Sequence, residues 1–306
     1  MRGIIIVGVC LAIVSSLACT ALWATRGEPR LSFSKAVSLP FIANSDEMVI
    51  VAATAGGDTP LHVILDTGAG LDILAPSLIE KLHGKPAGQF TGQRMTGERI
   101  DVPLFTISEL AIGSVIKKDA VVGSFDALDR MHLDGIIAVN DFREQAVTFD
   151  FVNRVFVFET AKSLGRRRAQ GKSAPIQFDD QRGISLDVFA RFLIGNQPGQ
   201  CEIDTGSQNA TVSMRYMAPL GIGKDGKDVR KHESTTIAGA PEIRYNTRLP
   251  EISLSAAPEI RVMDASTSFS DITYDCNIGS QFWKGRALTI DIARRELIVS
   301  GSWSAN

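Results

Sequence analysis

Two copies of a short acidic motif could do chemistry together. Asp66-Thr67-Gly68 recurs as Asp204-Thr205-Gly206, with the second aspartate 138 residues after the first. Two carboxylates held a few Å apart cannot both ionise, so such a pair shares one proton. Its charged member can take a proton from water while its neutral member polarises a carbonyl group. The glycine of each copy lets the chain turn sharply behind the carboxylate. The pair therefore predicts hydrolytic chemistry.

A second block repeats in nearly the same register and shows what must position the carboxylates. Asp134-Gly-Ile-Ile-Ala138 aligns with Asp275-Cys-Asn-Ile-Gly279, and an apolar strand ends each copy. Two paired blocks in nearly one register predict two copies of one fold. Each copy also opens with a strand, a turn and a strand, which favours a mainly β protein.

These repeated elements resemble the aspartic peptidases, with the pepsin-like arrangement of two lobes in one chain and some retropepsin-like detail. The resemblance covers about residues 40–300. It implies a mainly β fold of two homologous six-stranded-type acid-protease lobes with the active-site cleft between them. It also implies an endopeptidase that acts on polypeptides through Asp66 and Asp204, without a metal or cofactor. The residues expected to support the two loops are Thr67, Gly68, Thr205, Gly206 and Ser207.

Several positions depart from the family pattern. Ala138 stands where the family usually has glycine, and Cys276 takes the place matched by Gly135. The candidate flaps, Phe90–Gly97 and Thr235–Gly239, lack the tyrosine typical of pepsins. These departures keep a second hypothesis open, a non-catalytic peptide-binding protein on the same scaffold. A glycoside hydrolase would also use two carboxylates, but it would hold them apart. A structural envelope protein is a further hypothesis, and it predicts no open cleft.

The two loops differ at the residue after the glycine, Ala69 in the first and Ser207 in the second. A hydroxyl that donates to a carboxylate favours its charged form, so Ser207 would bias ionisation toward Asp204 and leave the proton on Asp66. The competing hypothesis is that this hydroxyl caps its own loop backbone, as short hydroxyl side chains often do.

Cys201 and Cys276 both fall in the second copy, near elements that the resemblance places side by side. An exported chain permits a disulfide between them, and two buried thiols are the competing hypothesis. The four histidines are dispersed along the chain, so no zinc site or Ser-His-Asp triad is expected.

Export is the expectation from the N-terminus. Residues 3–25 carry no charge, which indicates a signal peptide or an N-terminal membrane anchor over residues 1–24, with lipid modification of Cys19 as a third hypothesis. Membrane attachment would then use residues 3–24, and the protein would be periplasmic, otherwise extracytoplasmic, or anchored facing outward. With Lys+Arg 32 against Asp+Glu 34, the net charge is −2. This charge balance gives no field that would attract nucleic acid.

The repeat also predicts the domain boundaries. An N-terminal lobe is expected over residues 35–158 and a C-terminal lobe over residues 176–301. The polar and basic residues 159–175 between them are expected to form a solvated linker.

Overall fold

The computed structural model describes residues 36–42, 48–113, 115–181, 183–236 and 239–301. The proposed leader over residues 1–24 lies outside these ranges. Within them the chain is mainly β and forms two sheets, which confirms the predicted fold class, a two-lobed pepsin-like arrangement. No helix in the described part of the chain is long and apolar enough to span a membrane.

The first copy contributes ten strands. They are β1 Val37–Pro40, β2 Ile50–Ala55, β3 Thr59–Asp66, β4 Ile73–Leu74, β5 Lys85–Gln93, β6 Arg99–Ile112, β7 Val115–Ser124, β8 Gly135–Ala138, β9 Val147–Asp150 and β10 Val155–Phe158. Its helices are α1 Pro76–Lys81 and α2 Ala127–Met131, and a 3₁₀ turn covers Val139–Phe142.

The second copy contributes ten more strands. They are β11 Lys172–Gln181, β12 Ser185–Ile194, β13 Gln197–Ile203, β14 Ala210–Ser213, β15 Arg230–Thr235, β16 Pro241–Leu254, β17 Ala257–Ser270, β18 Cys276–Ile278, β19 Arg286–Asp291 and β20 Glu296–Gly301. Helix α3, Ala161–Gln170, precedes them, and 3₁₀ turns cover Met214–Tyr216 and Ser280–Trp283.

The strand order repeats between the copies. The first sheet runs β2-β3-β8-β4-β7-β6-β5, and the same order appears in the second sheet as β12-β13-β18-β14-β17-β16-β15. In each copy a strand threads in parallel beside the strand that carries the aspartate motif, β8 beside β3 and β18 beside β13. Side chains alternate between the two faces of a strand, so the apolar residues of β3, among them Leu61, Val63 and Leu65, face the core.

The last strands of the two copies join into one ladder. β9 pairs antiparallel with β19, and in this register Thr148 lies opposite Thr289. The two buried hydroxyl oxygens are 2.7 Å apart. The second sheet therefore continues through β20, β19, β9 and β10 to β1, and the terminal strands of both lobes share it.

Residues 159–175 are not a solvated connection, which corrects the sequence-based prediction. They contain α3 and the start of β11. Arg167 donates to the carboxylate of Glu159 at 3.0 Å, and Arg168 donates to Asp291 at 2.8 Å. Both acceptors are buried, so these arginines supply the opposite charges that buried carboxylates need.

Candidate active site

The two aspartate loops hold each other through buried hydrogen bonds between their threonines. The backbone N–H of Thr67 donates to Thr205 Oγ1 at 3.1 Å, and the N–H of Thr205 donates to Thr67 Oγ1 at 3.1 Å. Each hydroxyl also donates across the lobe boundary, Thr67 to the carbonyl of Ile203 at 2.6 Å and Thr205 to that of Leu65 at 2.7 Å. Both threonines are fully buried. The loops therefore cannot separate without leaving buried donors and acceptors unpaired.

The glycines of the two loops bring the carboxyl groups face to face. A Cβ on Gly206 would lie 2.3 Å from Cγ of Asp66, and a Cβ on Gly68 would lie 2.7 Å from Cγ of Asp204. Glycine is thus required in each loop because the carboxyl group of the other loop occupies the space of a side chain.

The pKa of Asp66 is shifted by its position in this dyad. Burial raises its pKa well above the ordinary value, and the charge of Asp204 and the hydrogen bond between the two groups raise it further. The backbone N–H groups of Gly68 and Gly206 oppose this shift. Because a buried carboxyl beside a like charge favours its neutral form, Asp66 keeps a proton where an exposed aspartate would be ionised.

Three N–H donors surround the carboxyl group of Asp204. Its Oδ1 accepts from the backbone N–H groups of Gly206 and Ser207, each at 2.9 Å. Its Oδ2 accepts from Nδ2 of Asn277 at 2.5 Å. Donors directed at a carboxylate stabilise the ionised form. The dyad is therefore asymmetric in its hydrogen bonds, because the side chain of Asn277 donates to Asp204 of the second lobe.

The hydroxyl of Ser207 does not produce this asymmetry, so that prediction is wrong. It donates instead to the carbonyl of Asn209 at 3.4 Å, within its own loop, as the capping hypothesis predicts. Sequence reasoning missed Asn277 as a donor. The available signal was its place in the repeat, because an apolar residue, Ile136, stands at the matching position of the first copy.

The threading strands pass the two loops differently. In the second lobe, a Cβ on Gly279 would lie 2.5 Å from the backbone of Gln208, so glycine is required there. In the first lobe, Ala138 takes the matching place, and its N–H donates to the carboxylate of Asp72 at 2.9 Å. Lys117 binds the same carboxylate at 2.9 Å. A buried carboxylate thus anchors the first-lobe threading strand at Ala138.

Both candidate flaps fall on hairpins, β5–β6 and β15–β16, whose turns reach the opposite lobe. The N–H and the hydroxyl of Thr273 donate to the carbonyl of Met95, at 2.8 and 3.0 Å. Thr236 Oγ1 donates to Glu98 at 3.3 Å. The first-lobe turn is therefore hydrogen-bonded to the second lobe at two points. Moving this turn away from the second lobe breaks all three hydrogen bonds.

Cys201 and Cys276 lie directly opposite each other on β13 and β18, and a disulfide joins them. A cavity of about 310 Å³ opens near this end of the second lobe. Its lining contains Phe178, Phe189 and Tyr274, and neither dyad aspartate. In the part of the chain that the structure describes, no three His, Cys, Asp or Glu side chains are grouped as metal ligands would be.

The two sheets and the paired loops form a two-lobed pepsin-like fold. The solved structures to which the chain is similar include two proteins whose whole length it nearly covers. Basic 7S globulin from soybean matches with a TM-score of 0.55 and 9% identity, over 88% of this chain and 97% of that one. The structure of edgp matches with a TM-score of 0.53 and 8% identity, over 87% and 95%. No protein-family model matches the chain, and no curated protein sequence matches it.

Proposed function

We propose that this protein is an aspartic endopeptidase that hydrolyses peptide bonds with a water activated between Asp66 and Asp204. The observation that carries the proposal is the asymmetric dyad, held by reciprocal threonine bonds, with a raised pKa on Asp66 and three donors on Asp204. A dyad that shares one proton supplies a base and an acid at one place.

The two carboxyl groups divide the work. The Asp204 carboxylate takes a proton from water, and the oxygen of that water attacks the scissile carbonyl carbon. The Asp66 carboxyl group donates its proton toward the carbonyl oxygen, where negative charge develops. When the C–N bond breaks, the proton held by Asp204 goes to the leaving nitrogen. A hydroxyl group of the tetrahedral intermediate returns a proton to Asp66 in the same step, so the dyad again holds one proton.

The hairpins give this proposal a substrate class, an extended polypeptide. Strand edges recognise extended peptides through main-chain hydrogen bonds. Thr273 and Met95 already make such contacts across the lobes, the Thr273 N–H with the Met95 carbonyl. A substrate must replace these contacts, so we expect the hairpins to separate before it binds.

Cleavage of denatured casein between pH 3 and 8, with and without a statine-type inhibitor, tests the proposal. Asp66→Asn and Asp204→Asn should each lower the rate about a thousandfold or more, because neither leaves an acid–base pair. Asp225→Asn, at an exposed site, is the matched control and should cleave normally. Equal rates in all four proteins would contradict the proposal.

A second candidate function is peptide binding without cleavage on the same scaffold. Basic 7S globulin and edgp, two of the solved structures to which the chain is similar, are not named as peptidases. Ala138 and Cys276 at the crossing positions favour the same hypothesis, as does the missing flap tyrosine. If this is the function, wild-type protein should leave casein intact, and Asp66→Asn protein should bind unfolded peptides as tightly as the wild type does.

We also propose that residues 3–24 direct the chain out of the cytoplasm. The uncharged leader and the Cys201–Cys276 disulfide support this, since disulfides persist in oxidising compartments. Cell fractionation with N-terminal mass spectrometry tests it. A reduced, cytoplasmic chain with an intact leader would overturn it.

A further inference from the structure

Glu202 and Asn277 form a buried polar pair beside the dyad. They lie opposite each other on the parallel strands β13 and β18, and Glu202 precedes Asp204 by two residues. Glu202 is 4% exposed and Asn277 is 2% exposed. In the first lobe the same two places are taken by Ile64 and Ile136, which are also partners across parallel strands. The second lobe has therefore exchanged an apolar pair for a polar one at its dyad.

The amide of Asn277 bridges two carboxyl groups. Its Nδ2 donates to Glu202 Oε2 at 3.0 Å and to Asp204 Oδ2 at 2.5 Å. Its Oδ1 is buried and has no hydrogen-bond partner among the described residues. An amide has two N–H donors, and both are used here while its acceptor stays unpaired. The bridge to the carboxyl groups thus sets the orientation of the side chain.

Glu202 accepts the bond from this amide while Glu202 itself favours its neutral, protonated form. Burial raises its pKa well above the ordinary value, the charges of Asp204 and Asp187 raise it further, and the bond from Asn277 only partly opposes them. No cation of the described chain lies within ion-pair distance of Glu202. The titratable groups that face it are Asp66, Asp187, Asp204 and Tyr274. A neutral Glu202 accepts from Asn277 without adding a negative charge beside the dyad.

We propose that Asn277 and Glu202 are positioning residues that make Asp204 the charged member of the dyad. Asn277 acts through the bond that it donates to Asp204. Glu202 acts through Asn277, because it accepts the second N–H and so prevents the amide from rotating away. The inference deepens the proposed peptidase function and rests on it.

Replacing the pair by its first-lobe counterpart is the direct test. In the full chain, Asn277→Ile alone and together with Glu202→Ile should raise the lower apparent pKa of the dyad by about one unit, since a donor to the charged form is lost. Ile64→Leu, at the matching place of the first lobe, is the packing control and should leave that pKa unchanged. The lower pKa is read from the acid limb of the pH–rate profile.

A matched pair at Glu202 separates positioning from packing. Glu202→Gln keeps a neutral acceptor for Asn277, and the acid limb should stay where it is in the wild type. Glu202→Leu removes the acceptor and should raise the lower pKa by about half a unit, because the freed amide spends less time on Asp204. These two variants decide the proposal even if Asn277→Ile does not fold.

Titration of the aspartate carboxyl carbons by ¹³C NMR gives a readout that needs no cleavage. If wild-type protein cleaves nothing, the peptidase proposal fails, and the NMR titration of the same variants still tests the positioning pair. An acid limb and carboxyl titrations that are the same in Glu202→Leu, in Glu202→Gln and in the double isoleucine variant would overturn the inference.

Discussion

The two lobes share a strand order, yet each stabilises its threading strand with a different buried polar arrangement. In the first lobe, Lys117 bonds to Asp72 at 2.9 Å and to Asp141 at 2.5 Å, so a cation compensates the buried carboxylates. In the second lobe, the amide of Asn277 bridges Glu202 and Asp204 without any cation. The repeated backbone therefore fixes the strand order, while substitutions at single positions decide which buried polar groups accompany each threading strand.

The pKa values follow from this difference. Burial alone opposes a charge on Lys117, but Asp72 and Asp141 outweigh it and raise the lysine pKa. In the second lobe, burial and like charges act in the same direction and raise the pKa of Glu202. In the first lobe, burial and the charge of Asp72 also raise the pKa of Asp141, but Lys117 opposes this shift. In the second lobe, no cation among the described residues opposes the shift of Glu202, and only the bond from Asn277 does.

The largest expected effect comes from breaking the ion-paired side of this comparison. Lys117→Met leaves two buried carboxylates without their cation, which should cost roughly 3–5 kcal/mol of unfolding free energy. Urea unfolding measures it. Lys118→Met is the control, because that side chain is 77% exposed and its pair with Glu109 should contribute less than about 1 kcal/mol. Equal losses in the two variants would contradict the ion-paired assignment.

The disulfide gives the second test, because only the second lobe has one at the crossing. The bond closes a loop with a sequence separation of 75, so its loss should cost roughly 3–4 kcal/mol. Replacing Cys201 by valine and Cys276 by glycine gives the residues at the matching places of the first lobe. Thermal unfolding of this double variant should resemble that of reduced wild-type protein. A variant as stable as the oxidised wild type would show that the bond contributes nothing.

The threonine interlock is where the lobes are alike, so its variants should be equivalent. Thr67→Val and Thr205→Val each remove one hydroxyl and its two buried bonds, and each should cost about 2 kcal/mol. Denaturant midpoints measure both. The serine variants at the same sites retain the hydroxyl and serve as controls. Losses that differ by more than about 1 kcal/mol would break the symmetry between the loops.

The smallest effect concerns pH and Asp187, whose pKa burial and the charge of Asp179 raise to about 6. The unfolded value is about 3.9, so this carboxyl group favours the protonated folded form. Its contribution to stability is complete below about pH 4 and is lost as the pH rises through 6. Asp187→Asn should therefore be about 1–2 kcal/mol more stable than the wild type at pH 7.5, and no more stable at pH 4.

Unfolding at both pH values checks this prediction. Asp225→Asn is the exposed control and should show no such pH-dependent gain. A gain for Asp187→Asn that is as large at pH 4 as at pH 7.5 would mean that packing, and not ionisation, explains it.

The sequence was sufficient to predict the features that repeat between the two copies. Two aspartate motifs and two threading blocks predicted the fold class, and the turn pattern located both hairpins, because local patterns determine strands and turns. The donors around Asp204 could not be predicted in the same way. The orientation of Ser207 depends on one torsion angle, and Asn277 donates from a strand 73 residues away.

The prediction of a solvated linker over residues 159–175 failed for a similar reason. Their composition is polar and basic, which is typical of a solvated linker. Composition does not report that Arg168 meets Asp291, a buried carboxylate 123 residues further along the chain. Only the packed sheet brings that partner within reach.

The ladder between β9 and β19 has an evolutionary consequence. In the offset of the repeat, Thr148 matches Thr289, and these two residues are also direct partners across the ladder. Val147 pairs with Ile290, and Phe149 pairs with Leu288. Each copy therefore uses the same positions of the repeat to pair with the other copy. Self-complementary contacts of this kind are what a twofold homodimer makes. An ancestral half-chain could thus have paired with a second copy of itself. Gene fusion would then have needed no new contact in the ladder between β9 and β19.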